Sequence, residues 1–92
     1  MIIMTSEREM QAIYDSRKSF YKKAYIITDK LGRTVLRSYN TSVAMIENGK
    51  AEIFGTYSNT TLRHIKEFLL QHGFEAGSKA ELIEMYMKEE ER

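Results

Sequence analysis

The chain of 92 residues carries 14 Lys and Arg against 13 Asp and Glu, and it has no Cys, Pro or Trp. This length allows one small core, so we expect a single domain over residues 1–92. Without Cys there is no disulfide scaffold, thiolate nucleophile or Cys-based zinc site, so we expect a cytoplasmic protein. The apolar runs are four residues or fewer, which predicts neither a signal peptide nor a membrane-spanning helix.

Charge is unevenly distributed along the chain. Residues 7–37 hold eight basic and four acidic side chains, whereas residues 65–92 hold four basic and seven acidic ones. This asymmetry is consistent with an electropositive face and an acidic tail that steer a partner. It is equally typical of ordinary helical surfaces, which we regard as the simpler interpretation.

The N-terminal region is predicted to form a first helix from Ser6 to about Lys23. Ser6 and Glu9 have the spacing of a capping box. Apolar and aromatic residues follow at steps of three and four, which favours a helix with one buried face; they are Met10, Ile13, Tyr14, Phe20 and Tyr21. The basic cluster at its end is suited to the negative end of a helix dipole; it comprises Arg17, Lys18, Lys22 and Lys23.

The middle of the chain is predicted to form an antiparallel meander. Short runs rich in β-branched and aromatic residues, separated by turn residues, indicate strands. The predicted strands are residues 24–28, 33–39, 42–46 and 51–54. Asn48-Gly49 supplies the positive φ angles of a type I′ hairpin turn. Tyr39 to Thr41 is interpreted either as part of one long bent strand or as a corner.

Two more helices are predicted after the strands. Possible N-caps before Leu62 start an amphipathic helix that runs to about His72. Gly73 has the position of a left-handed C′ residue, and Phe74 can supply the hydrophobic contact of that cap. Ser78 and Glu81 form a second capping-box pattern, which predicts a third helix.

The order of elements predicts the fold class. We expect an α+β domain with an antiparallel β-meander of three to four strands and helices packed on one face, in the order α-β-β-β-(β)-α-α.

Catalytic and cofactor signals are weak. The nearest set for nucleophilic catalysis is Ser58, His64 and Glu67, but hydroxyls before a helix are more often caps. The nucleotide, zinc-protease and EF-hand motifs are missing from the sequence. We therefore expect no enzyme, no metal and no cofactor.

The segment from Tyr57 to His64 has a second interpretation. A helix N-terminus with hydroxyl and cationic donors is suited to a phosphate or a carboxylate. The simpler interpretation is an N-cap with ordinary surface polar residues. Tyr39 and Tyr57 each lie beside a polar stretch, so we expect them to be exposed and available to an interface.

The stretches SYNTSVA at residues 38–44 and GTYSNTTLRHI at residues 55–65, followed by Phe68, resemble a family of small uncharacterised proteins of bacterial phages, plasmids and integrative elements. The resemblance spans residues 36–74. It implies an accessory factor that binds a host protein, with inhibitors of CRISPR effectors as one example. The matching positions are Tyr39, Asn40, Thr41, Tyr57, Ser58, Thr60, Thr61, Arg63 and His64.

Our leading hypothesis is a non-enzymatic protein-interaction module of a phage or mobile element that inhibits a host defence protein such as a CRISPR effector. Its predicted partner-binding residues are Tyr39, Asn40, Tyr57, Ser58, Thr60, Thr61, Arg63 and His64. The alternative is a nucleic-acid-binding accessory protein whose basic residues contact phosphates; these are Arg17, Lys18, Lys22, Lys23, Lys30, Arg33 and Arg37. A homodimer through an exposed sheet edge is also open, and no membrane partner is expected.

Overall fold

The structure, a computed structural model, describes residues 4–16, 19–55 and 57–87. Its elements are β1 (Met4–Glu9), β2 (Ala24–Asp29), β3 (Thr34–Ser38), β4 (Thr41–Glu47), β5 (Lys50–Ile53), α1 (Asn59–Gln71) and α2 (Lys79–Tyr86). The five strands form one sheet in the order β1-β2-β3-β4-β5, and all neighbours are antiparallel. The α+β class and the antiparallel meander are confirmed, but the described residues form five strands rather than three to four, because a strand stands where the first helix was predicted.

The predicted first helix is wrong. Residues 4–9 form the edge strand β1, with Glu9 opposite Tyr25 of β2, so Ser6 and Glu9 make no capping box. The described residues between β1 and β2 form no helix. Met10 and Phe20 enter the core, whereas the other apolar residues of the proposed stripe are exposed. The physical reason is tertiary: side chains of α1 bind the backbone of this segment, as shown below.

The hairpin turns follow the sequence closely. Asn48 and Gly49, both at positive φ, connect β4 to β5 as expected for a type I′ turn. Tyr39 and Asn40 form a two-residue turn between β3 and β4, with Tyr39 at φ 58°. The corner interpretation of residues 39–41 is therefore the right one.

Both described helices begin at predicted N-caps, and α1 also ends at its predicted signal. Ser58 caps α1, and Ser78 forms the full capping box of α2 with Glu81. After α1, Gly73 at φ 84° donates to the Leu70 carbonyl and Phe74 donates to the Leu69 carbonyl. This pair of hydrogen bonds is a Schellman motif, and it ends the helix.

The core lies between one face of the sheet and the helices. A row of side chains in register across β2 to β5 forms its floor: Ile26, Leu36, Ala44 and Ile53, each at most 2% exposed. From α1, Leu62, Ile65, Phe68 and Leu69 pack in the same cluster, and Leu82 joins it from α2. The helices thus lie on one face of the sheet, and α1 also contacts the segment between β1 and β2. In the described part of the chain, no helix has the length and apolarity needed to cross a membrane.

Candidate functional site

Helix α1 holds the segment between β1 and β2 through three side chains spaced four residues apart. Residues at this spacing lie on one helix face. They are Arg63, Glu67 and Gln71, and each binds a part of residues 11–16. We call this set of contacts the α1 clamp.

Glu67 is the centre of the α1 clamp. Its carboxylate accepts the backbone N–H groups of Ile13 and Asp15 at 2.8 Å and that of Tyr14 at 3.0 Å. The Gln71 Nε2 also donates to it, at 2.6 Å. Burial alone would raise the pKa of Glu67, but the bonds from Gln71 and the three amides together lower it. The buried carboxylate therefore accepts hydrogen bonds from four donors, which only the folded chain brings to it.

Arg63 and Gln71 fasten the two ends of the same loop. The Arg63 guanidinium donates to the Asp15 carboxylate through Nε at 3.1 Å and Nη2 at 2.9 Å, and it also reaches Ser16. Gln71 donates to the Gln11 carbonyl. Hydrogen bonding to Asp15 raises the pKa of Arg63, so its charge is fixed. The backbone of residues 11–16 is thus held along almost its whole length.

A second set of polar side chains ties α1 to β3. Ser38 Oγ lies 2.8 Å from His64 Nδ1 and 3.0 Å from Thr61 Oγ1. The His64 ring also contacts Phe20 at 4.8 Å and Tyr39 at 5.9 Å between ring centroids. Ser38 and His64 are only 2% and 1% exposed. A substrate therefore has no access to the Ser38 hydroxyl, and these contacts are structural ones.

The possible catalytic set from the sequence does not assemble. Ser58 caps α1 by accepting the Thr61 N–H, His64 bonds Ser38, and Glu67 binds the loop. Ser38, the real partner of His64, carries no sequence signal beyond its place at a strand end. Among the described residues, no group of three or more His, Asp or Glu side chains is arranged to hold a metal ion.

A small pocket lies beside the α1 clamp and His64. It is lined by Ser19, Phe20, Tyr21, Lys23, Thr60, Arg63 and His64, and its volume is about 30 Å³. The Lys23 Nζ also lies 5.9 Å from the centre of the Tyr39 ring, a cation–π distance. We call this the Lys23 pocket. It brings together Lys23 from the predicted nucleic-acid-binding set and Thr60, Arg63 and His64 from the predicted partner-binding set.

The other predicted site residues lie elsewhere or inside the fold. Thr61 is buried, and Ser58 is a helix cap. Tyr57 was expected to be exposed, but it is half-buried and packs against the core because the chain turns inward there to begin α1. Asn40 is exposed in the β3–β4 turn, and Lys22 is exposed beside Lys23. Arg17 and Lys18 lie outside the residues that the structure describes.

The basic residues of the alternative hypothesis are divided between surfaces. Arg33 pairs with Asp29 at 2.7 Å, and Arg37 pairs with Glu7 at 2.8 Å. Arg37 also stacks on Tyr25. Tyr25 is next to the core residue Ile26 in β2, and neighbouring residues of a strand point to opposite faces, so Arg37 lies on the sheet face away from the helices. Only Lys22 and Lys23, of the described members, lie near the Lys23 pocket.

Four of the seven large exposed hydrophobic side chains in the described part of the chain belong to segments that the α1 clamp or the Lys23 pocket contacts. Ile13 and Tyr21 are each 66% exposed, Tyr14 is 60% exposed and Tyr39 is 46% exposed. Arg63 connects them, because it binds the loop that carries Ile13 and Tyr14 and lines the pocket beside Tyr21. We call the surface formed by Ile13, Tyr14, Tyr21, Lys23 and Tyr39 the loop face. Ile13, Tyr14 and Tyr21 were not predicted to be exposed, because the helical stripe expected from the sequence would have buried all three.

Comparison with known proteins gives a family but no activity. The sequence matches a family of unknown function, DUF8033, over residues 8–84. No curated protein and no solved structure matches the chain. The match extends beyond residues 36–74, where the resemblance was seen, and includes the last two residues of β1, the clamped loop and most of α2. Since it covers well over half of the sequence, the chain belongs to the family of unknown function DUF8033.

Proposed function

We propose that this protein is a non-enzymatic interaction module that binds a partner protein through the loop face. The observation that carries the proposal is the combination of four large exposed side chains with a backbone that is held in place. Exposed apolar patches on small soluble proteins are typical of interaction sites. Tyr is suited to such sites because it supplies a large contact area with few rotatable bonds.

The α1 clamp supports this function through preorganisation. Binding loses affinity when a flexible loop must be ordered on contact. Here Glu67 has already fixed the amides of Ile13 and Tyr14, so their side chains project from an ordered backbone. The buried carboxylate gives the loop an anchor that a plain surface loop would lack.

Charge defines the chemistry of the partner. Lys22, Lys23 and Lys66 lie on or beside the loop face. Of the acidic groups nearby, Asp15 is paired with Arg63, and the Glu9 carboxylate accepts the Lys22 N–H. A surface of basic and aromatic groups is complementary to an acidic protein surface.

The experiment is a tagged capture from host-cell lysate, treated with nuclease and read by mass spectrometry. We expect a stoichiometric protein partner that the double variant Tyr14→Ser with Tyr21→Ser captures more than tenfold less. Leu31→Ser is the matched control, because Leu31 is 73% exposed in the β2–β3 turn, outside the loop face. Equal capture by all three chains would contradict the proposal.

The same capture tests the two finer hypotheses. If the chain acts on a host defence protein such as a CRISPR effector, as the resemblance implies, that protein is the one recovered. The nucleic-acid alternative predicts that nuclease removes all captured material and that binding falls steeply with salt. Its support is weaker, since Arg33 and Arg37 are neutralised by ion pairs and Arg37 lies on the face away from the helices.

A further inference from the structure

We propose that the Lys23 pocket binds the carboxylate of an Asp or Glu side chain of the partner protein. The inference rests on the proposed function, since it names the group that the loop face recognises. The pocket and the exposed tyrosines then have different roles in binding: the tyrosines supply contact area, and the pocket selects an acidic residue of the partner.

The pocket walls are rich in hydrogen-bond donors. All the polar side chains that line the pocket carry an N–H or O–H group; they are Ser19, Tyr21, Lys23, Thr60, Arg63 and His64. His64 is buried and bonded to Ser38, so the exposed side chains Tyr21, Lys23 and Thr60 are the donors offered to a ligand. The described lining includes no carboxylate. Asp15, which binds Arg63, lies outside the lining and leaves Lys23 as the main positive charge at the mouth. This set of donors is suited to an anion.

The pocket is also small and partly open to solvent, with a volume of about 30 Å³. These dimensions suit the end of a side chain presented by a partner, with Phe20 beside its aliphatic stem, rather than a free metabolite that needs to be enclosed.

The backbone at the pocket rim is held in an unusual conformation. Tyr21 and Lys22 both have positive φ, at 54° and 63°, a region that residues with a side chain seldom adopt. Two side-chain acceptors hold them there: Ser19 Oγ accepts the Tyr21 N–H, and the Glu9 carboxylate accepts the Lys22 N–H, each at 2.8 Å. Strained backbone of this kind is concentrated at binding sites. Here it positions Tyr21 and Lys23 on the same pocket.

The test uses the isotope-labelled full chain and a neutral-ended probe peptide, acetyl-Gly-Gly-Glu-Gly-Gly-amide, followed by NMR. We expect concentration-dependent shifts in the amide signals of Tyr21, Lys23 and Thr60. The same peptide with Gln in place of Glu should give shifts at least about threefold smaller, and salt should weaken the Glu peptide. Equal responses to the two peptides, or no response at these amides, would overturn the inference.

Variants identify the group responsible. Lys23→Gln should weaken binding of the Glu peptide about threefold to fivefold, the range of one exposed ion pair. Lys30→Gln is the matched control, because Lys30 is an exposed lysine in the β2–β3 turn. An unchanged affinity in Lys23→Gln overturns the proposal. Inorganic phosphate is the competing probe: tighter binding of phosphate at the same amides would make this a phosphate site instead.

The peptide test and the lysate capture can overturn the two proposals separately. Binding of the Glu peptide without a captured partner would support the pocket and contradict the proposed function. A partner whose capture depends on Tyr14 and Tyr21, with no response to the Glu peptide, would support the proposed function and overturn the carboxylate assignment.

Discussion

The Glu67 carboxylate and the Tyr14 backbone N–H are 53 residues apart in sequence, yet both carboxylate oxygens lie 3.0 Å from that nitrogen. This contact converts the loop after β1 from a free connection into a fixed surface. The buried charge needs the loop amides, and the loop amides have no helix carbonyls to bind. Each side therefore satisfies the hydrogen-bonding requirement of the other.

Glu67→Gln should be strongly destabilising. The substitution replaces an acceptor of three amide bonds with a group that has one acceptor oxygen and an NH2 facing other donors. We expect a loss of about 2–4 kcal/mol in the free energy of unfolding, measured by urea denaturation. Glu84→Gln, at an exposed position of α2, is the control and should change it by less than about 0.5 kcal/mol. Equal effects of the two substitutions would show that the α1 clamp contributes no stability.

Acid should destabilise the protein through the same group. The pKa of Glu67 lies below its ordinary value of 4.5 in the folded state, so folding favours the charged form. This contribution is complete well above the ordinary pKa and is lost as the pH falls from about 5 through the lowered pKa. Burial would raise the pKa of Asp29, but its bonds with Arg33 lower it, and this adds a loss in the same direction. Unfolding curves at several pH values should show a smaller acid loss in Glu67→Gln than in the wild type. Parallel losses in the two chains would refute the assignment.

Ser38→Ala should destabilise the fold without any change at the surface. The substitution removes the hydroxyl that lies between His64 Nδ1 and Thr61 Oγ1 in a buried site. We expect a cost of about 1–3 kcal/mol in unfolding free energy. Ser42→Ala is the comparison, because Ser42 is exposed on β4 and should change the stability little. If Ser38→Ala unfolds like the wild type, the Ser38–His64 bond is not a structural link.

Ser58→Ala should cost about 0.5–2 kcal/mol, the usual range for loss of an N-cap. Ser58 Oγ accepts the Thr61 N–H at 3.3 Å, and its backbone carbonyl begins the α1 hydrogen bonds. Thermal unfolding measures the change, and Ser58→Asp should restore most of the stability since Asp is also a good cap. A variant that melts at the wild-type temperature would exclude the capping role.

The features that sequence reasoning predicted are governed by local chemistry. Gly73 and Asn48-Gly49 need positive φ, and Ser78 with Glu81 caps α2, whatever surrounds them. The prediction of a first helix was wrong because it rested on a local pattern, whereas the contacts that decide the structure are long-range. Residues 4–9 pair with the edge of β2, and Glu67 accepts the amide hydrogens that a helix would have bonded internally. A carboxylate within an amphipathic helix gives no sign of a partner 50 residues away.

The candidate site was predictable in its residue types but incompletely in its location. Lys23, Thr60, Arg63 and His64 were identified from two separate segments, and the structure places them around one pocket. Ser19, Phe20 and Tyr21 could not be placed there from the sequence, because a helix would have positioned them differently. The wall of the pocket depends on the left-handed backbone at Tyr21 and Lys22, which neither residue type favours.

Site-specific photocrosslinking tests the interaction role most directly. A photoreactive phenylalanine analogue replaces Tyr21 in one chain and Leu31 in another, since both positions are highly exposed. Each chain is irradiated in nuclease-treated host-cell lysate. We predict a discrete protein adduct from position 21 that competes with unlabelled wild-type chain, and none from position 31. The same adducts from both positions, or none from position 21, would contradict a partner-binding loop face.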